Sequence, residues 1–359
     1  MFTGPLPKRV NNYHVLQVVD VVQETPTAKS IVLEVPRPLK DRFQYRAGQF
    51  LTIRLRLTGA QHIRCYSMSS SPLDDRIRIT VKRVEGGVVS NWMNQWVKPG
   101  LKIEAMPPAG DFVLTEAPDS RDVVAFCSGS GVTLVMSIVT TALATTGRRV
   151  RVYYANQSRS SIIFDEALEQ LAAQHPERVE LVHHVYDEIG YLTTQQVADF
   201  LGAADADVYL CGSRHFMATT REALHARGLP PDRLHLENFT AETAEDSAAD
   251  ASPGTVVDRA TLVASSRTEL LGVVLRGQRH ELAYDRGATV LEVCRAASIS
   301  PPFACESGIC GACVAFVRDG TVTMAGAHAS LPADEVAAGW TLTCRAIPVS
   351  PSIEVEFPA

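Results

Sequence analysis

Residues 305–313 read Cys-Glu-Ser-Gly-Ile-Cys-Gly-Ala-Cys, and a further cysteine stands at position 344. The spacing is Cys-x4-Cys-x2-Cys, followed after 30 residues by the fourth cysteine. This is the plant-type [2Fe–2S] spacing, in which three thiolates on one tight loop and a distant fourth hold the cluster. The pattern predicts that the metal ligands are Cys305, Cys310, Cys313 and Cys344. A zinc site is the alternative, although zinc usually takes paired Cys-x2-Cys elements and the chain has one such pair.

The bulk composition is that of a globular protein with several domains. The chain has 359 residues, of which 46% are hydrophobic and 21% charged, and this length suggests two or three domains. A net charge of −6 disfavours binding to nucleic acid. The sequence contains no run of 18 apolar residues, so no membrane span is predicted. The first ten residues lack the apolar segment of a signal peptide. We therefore expect a cytoplasmic protein whose eight cysteines do not form disulfides.

The first third of the chain reads as short strands separated by glycine and proline, at intervals typical of a small antiparallel barrel. The predicted strands are 15–22, 30–35, 50–55, 77–83 and 101–106. The glycines at 86 and 87 precede a predicted helix, and amides at a helix N-terminus bind phosphate well.

The middle of the chain alternates strands and helices, which predicts a parallel sheet covered on both faces. A strand at 123–127 leads into Ser128-Gly129-Ser130-Gly131 and a helix over 132–146, with Gly147 as its predicted C-cap. The further strands are 150–156, 179–185, 208–211 and 234–237, and the further helices are 164–174, 193–201 and 216–227. Ligands bind at the carboxyl ends of such strands, where Asn156, Cys211 and Glu237 stand.

These patterns predict a multidomain fold. Its parts are an antiparallel β-barrel over 1–115, an α/β parallel-sheet domain over 116–240, a flexible linker over 241–258, and an α+β β-grasp ferredoxin domain over 259–359. The linker prediction comes from a segment rich in Ala, Ser, Thr, Asp and Glu that lacks large apolar residues.

Three segments in the barrel region, taken in order, resemble the flavin domain of the ferredoxin–NADP reductase superfamily. They are Arg64-Cys65-Tyr66-Ser67, Gly86-Gly87-Val88-Val89-Ser90-Asn91-Trp92 and Pro107-Pro108-Ala109-Gly110-Asp111-Phe112. The resemblance implies that Arg64 pairs with the flavin pyrophosphate, Tyr66 packs against the isoalloxazine, and Ser67 hydrogen-bonds near its reactive nitrogen. The other implied cofactor contacts are Cys65, Val81, Lys82, Gly87, Val88, Val89 and Ser90, and FAD is favoured over FMN.

The α/β region resembles the nicotinamide domain of the same superfamily. There the Cys211-Gly212 pair is implied to lie beside the nicotinamide, and Glu237-x-Phe239 to face the flavin. The remaining implied nucleotide contacts are Gly129, Gly131, Thr133, Asn156 and Arg159. Arg159 is either a ligand of a 2′-phosphate, which would favour NADPH, or a solvated loop arginine. Leu134 and Ser213-Arg214-His215 depart from the family pattern, which has proline at the first position and in the second turn.

The order flavin, nicotinamide, then C-terminal ferredoxin is similar to the reductase components of multicomponent oxygenases. The resemblance implies an NAD(P)H:acceptor oxidoreductase with FAD, a [2Fe–2S] cluster and NADH or NADPH, in which the catalytic residues are Tyr66, Ser67, Cys211 and Glu237. The implied partner is a terminal oxygenase, Rieske-type or di-iron, that accepts electrons near the cluster loop. The alternatives are a stand-alone NAD(P)H oxidase or flavin reductase, a cluster-based redox sensor, and an electron-transfer subunit of dihydroorotate dehydrogenase.

Overall fold

A computed structural model describes residues 4–7, 12–239, 268–326 and 330–358. They divide into two compact units, one built mainly from residues 268–358 together with 54–65, and the other from residues 13–53 and 66–239. The predicted linker over 241–258 and the first nine residues of the predicted ferredoxin domain lie outside the described residues.

The strands and helices are numbered in chain order. The strands are β1 (His14–Thr25), β2 (Ala28–Glu34), β3 (Phe50–Leu57), β4 (Ala60–Ser67), β5 (Ile77–Lys82), β6 (Lys102–Ala105), β7 (Asp122–Ser128), β8 (Val150–Asn156), β9 (Val179–Val185), β10 (Ala206–Cys211), β11 (Leu234–Glu237), β12 (Leu270–Leu275), β13 (Gln278–Ala283), β14 (Val314–Asp319), β15 (Val322–Met324), β16 (Trp340–Leu342), β17 (Ala346–Pro348) and β18 (Ser352–Glu356). The α-helices are α1 (Val88–Trp96), α2 (Val132–Thr145), α3 (Asp165–Gln174), α4 (Tyr186–Ile189), α5 (Thr194–Leu201), α6 (Arg214–Ala226), α7 (Val290–Ala296) and α8 (Ala333–Ala337).

The predicted barrel is confirmed as a six-stranded sheet with the order β4-β3-β6-β1-β2-β5. Strand β1 pairs antiparallel with β2 and β6, and β2 pairs antiparallel with β5. A further antiparallel bridge joins Met68, just after β4, to Ile79 on β5, so the two outer strands of the sheet meet. Strand β4 was not predicted from the sequence, and it carries Arg64-Cys65-Tyr66-Ser67.

The predicted parallel sheet is also confirmed, with the order β11-β10-β7-β8-β9 and parallel pairing throughout. Strands β7, β8 and β10 are almost wholly buried because helices cover both faces. Helices α2 and α3 contribute to the core on one face, and α5 and α6 to the core on the other. The strand order reverses between β7 and β10, which is the switch point where such sheets bind ligands.

The predicted C-cap at Gly147 is wrong. Helix α2 ends at Thr145 with Thr146 as its cap in an extended conformation, and Gly147 does not adopt a positive φ. The Arg178 guanidinium takes over the role expected of a glycine cap, because it donates to the carbonyls of Leu143 and Thr146 at 3.2 and 2.6 Å.

The C-terminal residues form a mixed sheet with the order β13-β12-β18-β14-β16, as the β-grasp prediction requires. Strands β12 and β18 pair in parallel, and their other neighbours are antiparallel. Helix α7 begins in a capping box between Thr289 and Glu292, and its Val290, Val293 and Cys294 enter the core of this sheet. In the described part of the chain, no helix is long and apolar enough to cross a membrane.

Candidate functional site

The four predicted cluster ligands come together as two pairs. Cys305 and Cys310 are linked by backbone hydrogen bonds, in which the Cys310 N–H donates to Cys305 Sγ at 3.3 Å and the Cys305 N–H to Cys310 Sγ at 3.4 Å. The second pair brings Cys313 Sγ to 3.2 Å from Cys344 Sγ, because the Thr343 N–H donates to the Cys313 carbonyl and holds the distant segment in place.

The backbone of the loop favours negative charge on sulfur. The Ser307 N–H donates to Cys305 Sγ at 3.4 Å, so two backbone amides point at this one thiol. Gly308 and Gly311 both have positive φ values, 81° and 67°, which turn the loop tightly around the sulfurs. Glu306, also at positive φ, is held by Arg295, whose Nη1 lies 2.9 Å from both of its carboxylate oxygens.

This donor set fits a [2Fe–2S] cluster better than zinc. Across the described ranges, no group of three or more Cys, His, Asp or Glu side chains converges on a single ion. Two separate pairs of thiols instead suit two irons, each with two cysteine ligands. The hydrogen bond with Cys310, together with burial, raises the pKa of the Cys305 thiol, and bound iron would favour its thiolate form.

The predicted flavin residues lie on β4, β5 and the start of α1. Arg64 and Tyr66 are partly exposed on β4, and their side chains project from the same face because strand residues alternate. Ser67 is buried on the opposite face, which it shares with the partly buried Cys65. The Arg64 guanidinium also donates to the Ile63 carbonyl at 2.8 Å, which fixes the position of that side chain.

The α1 N-terminus fits a phosphate group. Gly87 is the N-cap and supplies no side-chain hydrogen bond, so the amides of the first turn are not capped by a side chain. Ser90 does not extend its hydroxyl outward, because its Oγ accepts the Val84 N–H at 3.1 Å. Val88 is half-exposed and Val89 is buried, so a phosphate at this N-terminus would meet mainly their backbone amides.

Lys82 lies close to Gly129 in residues 128–131, the glycine loop that joins β7 of the parallel sheet to α2. Its Nζ lies 3.4 Å from the position that a Cβ on Gly129 would occupy. Burial lowers the pKa of Lys82. The adjacent Val81, which was also predicted as a cofactor contact, is fully buried in the barrel core. A cation near Gly129 suits an anionic group of a bound nucleotide.

The predicted nucleotide residues meet at the carboxyl edge of the parallel sheet. The register places Cys127, Cys211 and Glu237 side by side at the ends of β7, β10 and β11. Complete burial raises the pKa of Cys211 well above its usual range, so this thiol is neutral. Phe239 follows β11 and is 41% exposed, which leaves its ring open to contact a ligand.

Two glycines allow the backbone segments at the switch point to approach closely. A Cβ on Gly131 would lie 2.3 Å from the Cys211 carbonyl oxygen, and a Cβ on Gly212 would lie 2.2 Å from Ser128 Oγ. Tyr154 braces the same loop, because its hydroxyl donates to the Gly129 carbonyl at 3.0 Å. Thr133 is turned inward, with Oγ1 donating to the Ser130 carbonyl at 2.9 Å.

Asn156, at the end of β8, has a buried side chain whose Nδ2 and Oδ1 both lack a hydrogen-bond partner. Such a group lowers the stability of the folded chain unless a ligand completes it. Together with the close backbone approach at Gly131 and Gly212, these two unpartnered atoms make the edge of the sheet suitable for a nicotinamide nucleotide. Arg159 lies in the following loop and pairs with Glu188.

The two departures from the family pattern do not disturb the helices concerned. Leu134 is completely buried in the first turn of α2, which begins at Val132. Ser213 is the N-cap of α6, and its N–H donates to Ser128 Oγ at 2.8 Å. The turn at Ser213 is therefore stabilised by the loop that begins at Ser128.

Sequence reasoning missed a buried polar seam beside the flavin motif. Ser137 on α2 donates to the Ser70 carbonyl at 2.6 Å, and Thr141 Oγ1 lies 2.9 Å from Ser71 Oγ. The Tyr45 hydroxyl also bonds Ser70, with 2.7 Å between the two hydroxyl oxygens. The seam ties the segment after Ser67 to the helix that follows the glycine loop. The one available signal was the run of serines at 69–71, which alone predicts nothing specific.

Family models match three successive parts of the chain. The oxidoreductase FAD-binding domain matches residues 16–114, the oxidoreductase NAD-binding domain residues 126–222, and the 2Fe-2S iron-sulfur cluster binding domain residues 273–349. The three models follow the order that the motifs predict.

Relatives match almost the full length. The chain is 37% identical over 346 residues to the ferredoxin reductase component of 3-ketosteroid-9-alpha-monooxygenase from Rhodococcus rhodochrous, with 96% of both chains covered. It is 30% identical over 366 residues to one of the subunits of 1,2-phenylacetyl-CoA epoxidase from Escherichia coli, covering 98% of this chain and 99% of the relative. Among solved structures, phthalate dioxygenase reductase matches 96% of this chain with a TM-score of 0.57 at 20% identity, and 98% of that chain is covered. The chain therefore belongs to the family of NAD(P)H-dependent oxygenase reductases that combine FAD-, NAD- and [2Fe–2S]-binding domains.

Proposed function

We propose that this reductase serves a terminal oxygenase, of the Rieske or di-iron type, which docks near the cysteine loop and accepts electrons there one at a time. The observation that carries the proposal is the two-plus-two arrangement of Cys305, Cys310, Cys313 and Cys344 in a chain that also has a nucleotide-binding sheet. The relatives are named as components of oxygenase systems, which supports an oxygenase as acceptor and disfavours a stand-alone oxidase or a sensor. Free cysteines and thiolate ligands persist in a reducing compartment, so we place the protein in the cytoplasm.

In this proposal, residues 1–115 bind FAD, residues 116–240 bind the nicotinamide nucleotide, and residues 259–359 hold the cluster. Bound FAD supplies the conversion between two-electron and one-electron transfer. Arg64 and the first-turn amides of α1 bind its phosphates, while Tyr66 packs against its ring and Ser67 donates a hydrogen bond to it.

The carboxyl edge of the sheet binds and orients the nucleotide. Gly129 and Gly131 let the diphosphate approach the N-terminus of α2, and Asn156 completes its hydrogen bonds with the nucleotide. Cys211 and Gly212 form a neutral, close-fitting wall beside the nicotinamide, since the thiol does not ionise. Glu237 and Phe239 close the flavin side of this site and limit access of water to it.

Replacing one cluster ligand should separate reduction of the oxygenase from reduction of ferricyanide. Cys310→Ala should abolish reduction of a partner oxygenase and spare NAD(P)H-dependent reduction of ferricyanide, because ferricyanide takes electrons from the flavin. The matched control is Cys294→Ala, which removes a buried thiol of the same domain that is not among the predicted ligands. Anaerobic stopped-flow assays of both acceptors measure the split.

If Cys310→Ala and Cys294→Ala lose both activities alike, the domain has collapsed and Cys310→Ser replaces the alanine variant. If Cys310→Ser lacks the reduced-cluster electron paramagnetic resonance signal and still reduces the oxygenase, the proposed path is wrong.

A further inference from the structure

The loop after β8 and the short helix after β9 are held together by hydrogen bonds. Arg159 Nε lies 2.7 Å from Glu188 Oε1, and Arg159 Nη2 lies 2.9 Å from Oε2 of the same carboxylate. The two partners come from neighbouring strands, because β8 and β9 pair in parallel and their carboxyl ends meet at one edge. The Asp187 N–H donates to the Gln157 carbonyl at 3.0 Å, and Gln157 Nε2 donates to Asp187 Oδ1 at 2.5 Å.

The ion pair contributes little to stability. The side chains of Arg159 and Glu188 are 69% and 44% exposed, and exposed ion pairs of this kind contribute little to stability because solvent screens them. Its geometry is nevertheless the bidentate form in which a guanidinium binds a carboxylate or a phosphate. The Glu188 carboxylate therefore occupies the face of Arg159 that a phosphate would use.

The charge around Arg159 is negative in sum. Glu188 and then Asp165 raise the pKa of Arg159, so two carboxylates act on this one guanidinium. A phosphate monoester carries between one and two negative charges at neutral pH, so its transfer into this group is opposed by repulsion.

A dinucleotide bound at the switch point would extend toward these loops. If its diphosphate lies at Gly129 and Gly131 after β7, its adenosine half would lie near the ends of the neighbouring strands β8, where Asn156 has unsatisfied polar atoms, and β9. The ribose 2′ position is the point at which NADH and NADPH differ. A carboxylate accepts a hydrogen bond from a 2′-hydroxyl and repels a 2′-phosphate.

We propose that Glu188 is a specificity residue, which selects NADH over NADPH by occupying the Arg159 guanidinium and presenting a carboxylate to the ribose 2′ position. This proposal rests on the proposed function, since it assumes that a nicotinamide nucleotide binds at the carboxyl edge of the sheet. It also assigns Arg159 a role different from that of a ready 2′-phosphate ligand, because the arginine, although 69% exposed, is positioned by Glu188.

Steady-state assays of the full chain with ferricyanide test the selection. The wild-type protein should have a kcat/KM for NADH at least about tenfold above that for NADPH. Glu188→Gln should raise kcat/KM for NADPH about tenfold and lower that for NADH by less than about threefold, because Arg159 is then available to a 2′-phosphate. Adding Arg159→Gln to Glu188→Gln should cancel the gain, and the gain should shrink at high salt.

The matched control is Glu177→Gln, which removes one exposed carboxylate from the turn before β9, at the opposite end of the same strand. It should leave the NADH/NADPH ratio unchanged. A wild-type preference for NADPH, or a Glu188→Gln ratio equal to that of wild type, overturns the proposal.

A binding measurement separates this inference from the proposed function. Isothermal titration with 5′-AMP and 2′,5′-ADP needs no electron transfer, and Glu188→Gln should tighten binding of 2′,5′-ADP alone. If neither nucleotide reduces the wild-type protein but this binding shift is seen, the proposed function fails and the specificity assignment stands. If activity is normal and the shift is absent, the specificity assignment fails.

Discussion

The two ends of the parallel sheet in residues 122–237 are built in opposite ways. At the amino end, Arg148 is completely buried and every nitrogen of its guanidinium has an acceptor. Its Nη2 lies 2.6 Å from Asp207 Oδ2, and Nε and Nη1 donate to the carbonyls of Arg121 and Thr115 at 2.8 and 3.0 Å. At the carboxyl end, Asn156 is equally buried and has no partner for either of its polar atoms.

The two ends of this sheet therefore serve different purposes: the amino end contributes to stability, and the carboxyl end to ligand binding. A fully satisfied buried ion pair holds its end of the sheet in a single arrangement, and removal of either partner leaves a buried charge. An unsatisfied buried amide lowers stability and is retained where a ligand completes it. Substitutions at the two ends should therefore have opposite signatures, one in the free energy of unfolding and the other in nucleotide affinity.

The largest expected effect is at the amino end. Asp207→Ala should lower the free energy of unfolding of the nucleotide-binding domain by about 3–5 kcal/mol, because it strands the buried Arg148 charge. Urea denaturation measures this change. Asp205→Ala is the matched control, since Asp205 is 52% exposed and its loss should have an effect of less than about 1 kcal/mol. If Asp207→Ala unfolds no more easily than Asp205→Ala, the amino end does not stabilise the sheet as described.

The next effect is at the switch point. Gly131→Ala places a methyl group 2.3 Å from the Cys211 carbonyl, so the glycine loop and the Cys211-Gly212 segment must move apart. We expect kcat/KM for NADH with ferricyanide to fall about 100-fold, the scale associated with misplacement by about 1 Å. The neighbouring Ser130→Ala, which adds no atom, should behave as wild type. Normal kinetics in Gly131→Ala would show that close approach at this point is not needed for nucleotide binding.

A smaller effect is expected at Asn156. Asn156→Ala should weaken NADH binding about tenfold while leaving the free energy of unfolding unchanged or slightly higher, because a buried group without partners is removed. Asn94→Ala supplies the contrast, since the Asn94 amide donates to the carbonyls of Val81 and Ser90. It should lose about 1–2 kcal/mol of stability and keep its nicotinamide affinity. Equal stability losses in the two variants would mean that Asn156 is satisfied in the protein.

No effect at all is expected from ionisation of Cys211. Burial raises its pKa well above that of an ordinary thiol, about 8.5, so Cys211 remains protonated as the pH rises through that value. The kcat of Cys211→Ala, although lower, should follow the same pH profile as wild type from about pH 6 to pH 9. A wild-type profile with a limb near pH 8.5 that Cys211→Ala abolishes would contradict the assignment of a neutral thiol.

Local patterns in the sequence were sufficient to predict a structural feature wherever the residues that form it show a recognisable spacing. The cysteine spacing predicted four thiols that the structure brings together as two pairs, and the apolar runs predicted β7, β8, β9 and β10 almost to their ends. Strand β4 was missed because residues 60–67, Ala-Gln-His-Ile-Arg-Cys-Tyr-Ser, have no clear apolar face. The predicted cap at Gly147 failed because a distant arginine, Arg178, binds the last carbonyls of α2.

Features formed by two distant segments could not be read from the sequence. Arg159 and Glu188 are 29 residues apart, and only the adjacency of β8 and β9 joins them. The same is true of Arg148 with Asp207 and of Ser137 with the Ser70 carbonyl. The candidate site was thus predictable in its glycines and cysteines, and unpredictable in the side-chain pairs that tune it.

The central claim is that one chain takes two electrons from a nicotinamide and delivers single electrons through its cysteine-bound cluster. An anaerobic titration with NADH, followed by absorbance and electron paramagnetic resonance, tests it most directly. We predict bleaching of the flavin bands, a rhombic reduced-cluster signal, and uptake of about three electrons per chain, two on the flavin and one on the cluster. A flavin that bleaches with uptake of about two electrons and no cluster signal, in protein shown to contain iron, would contradict the account.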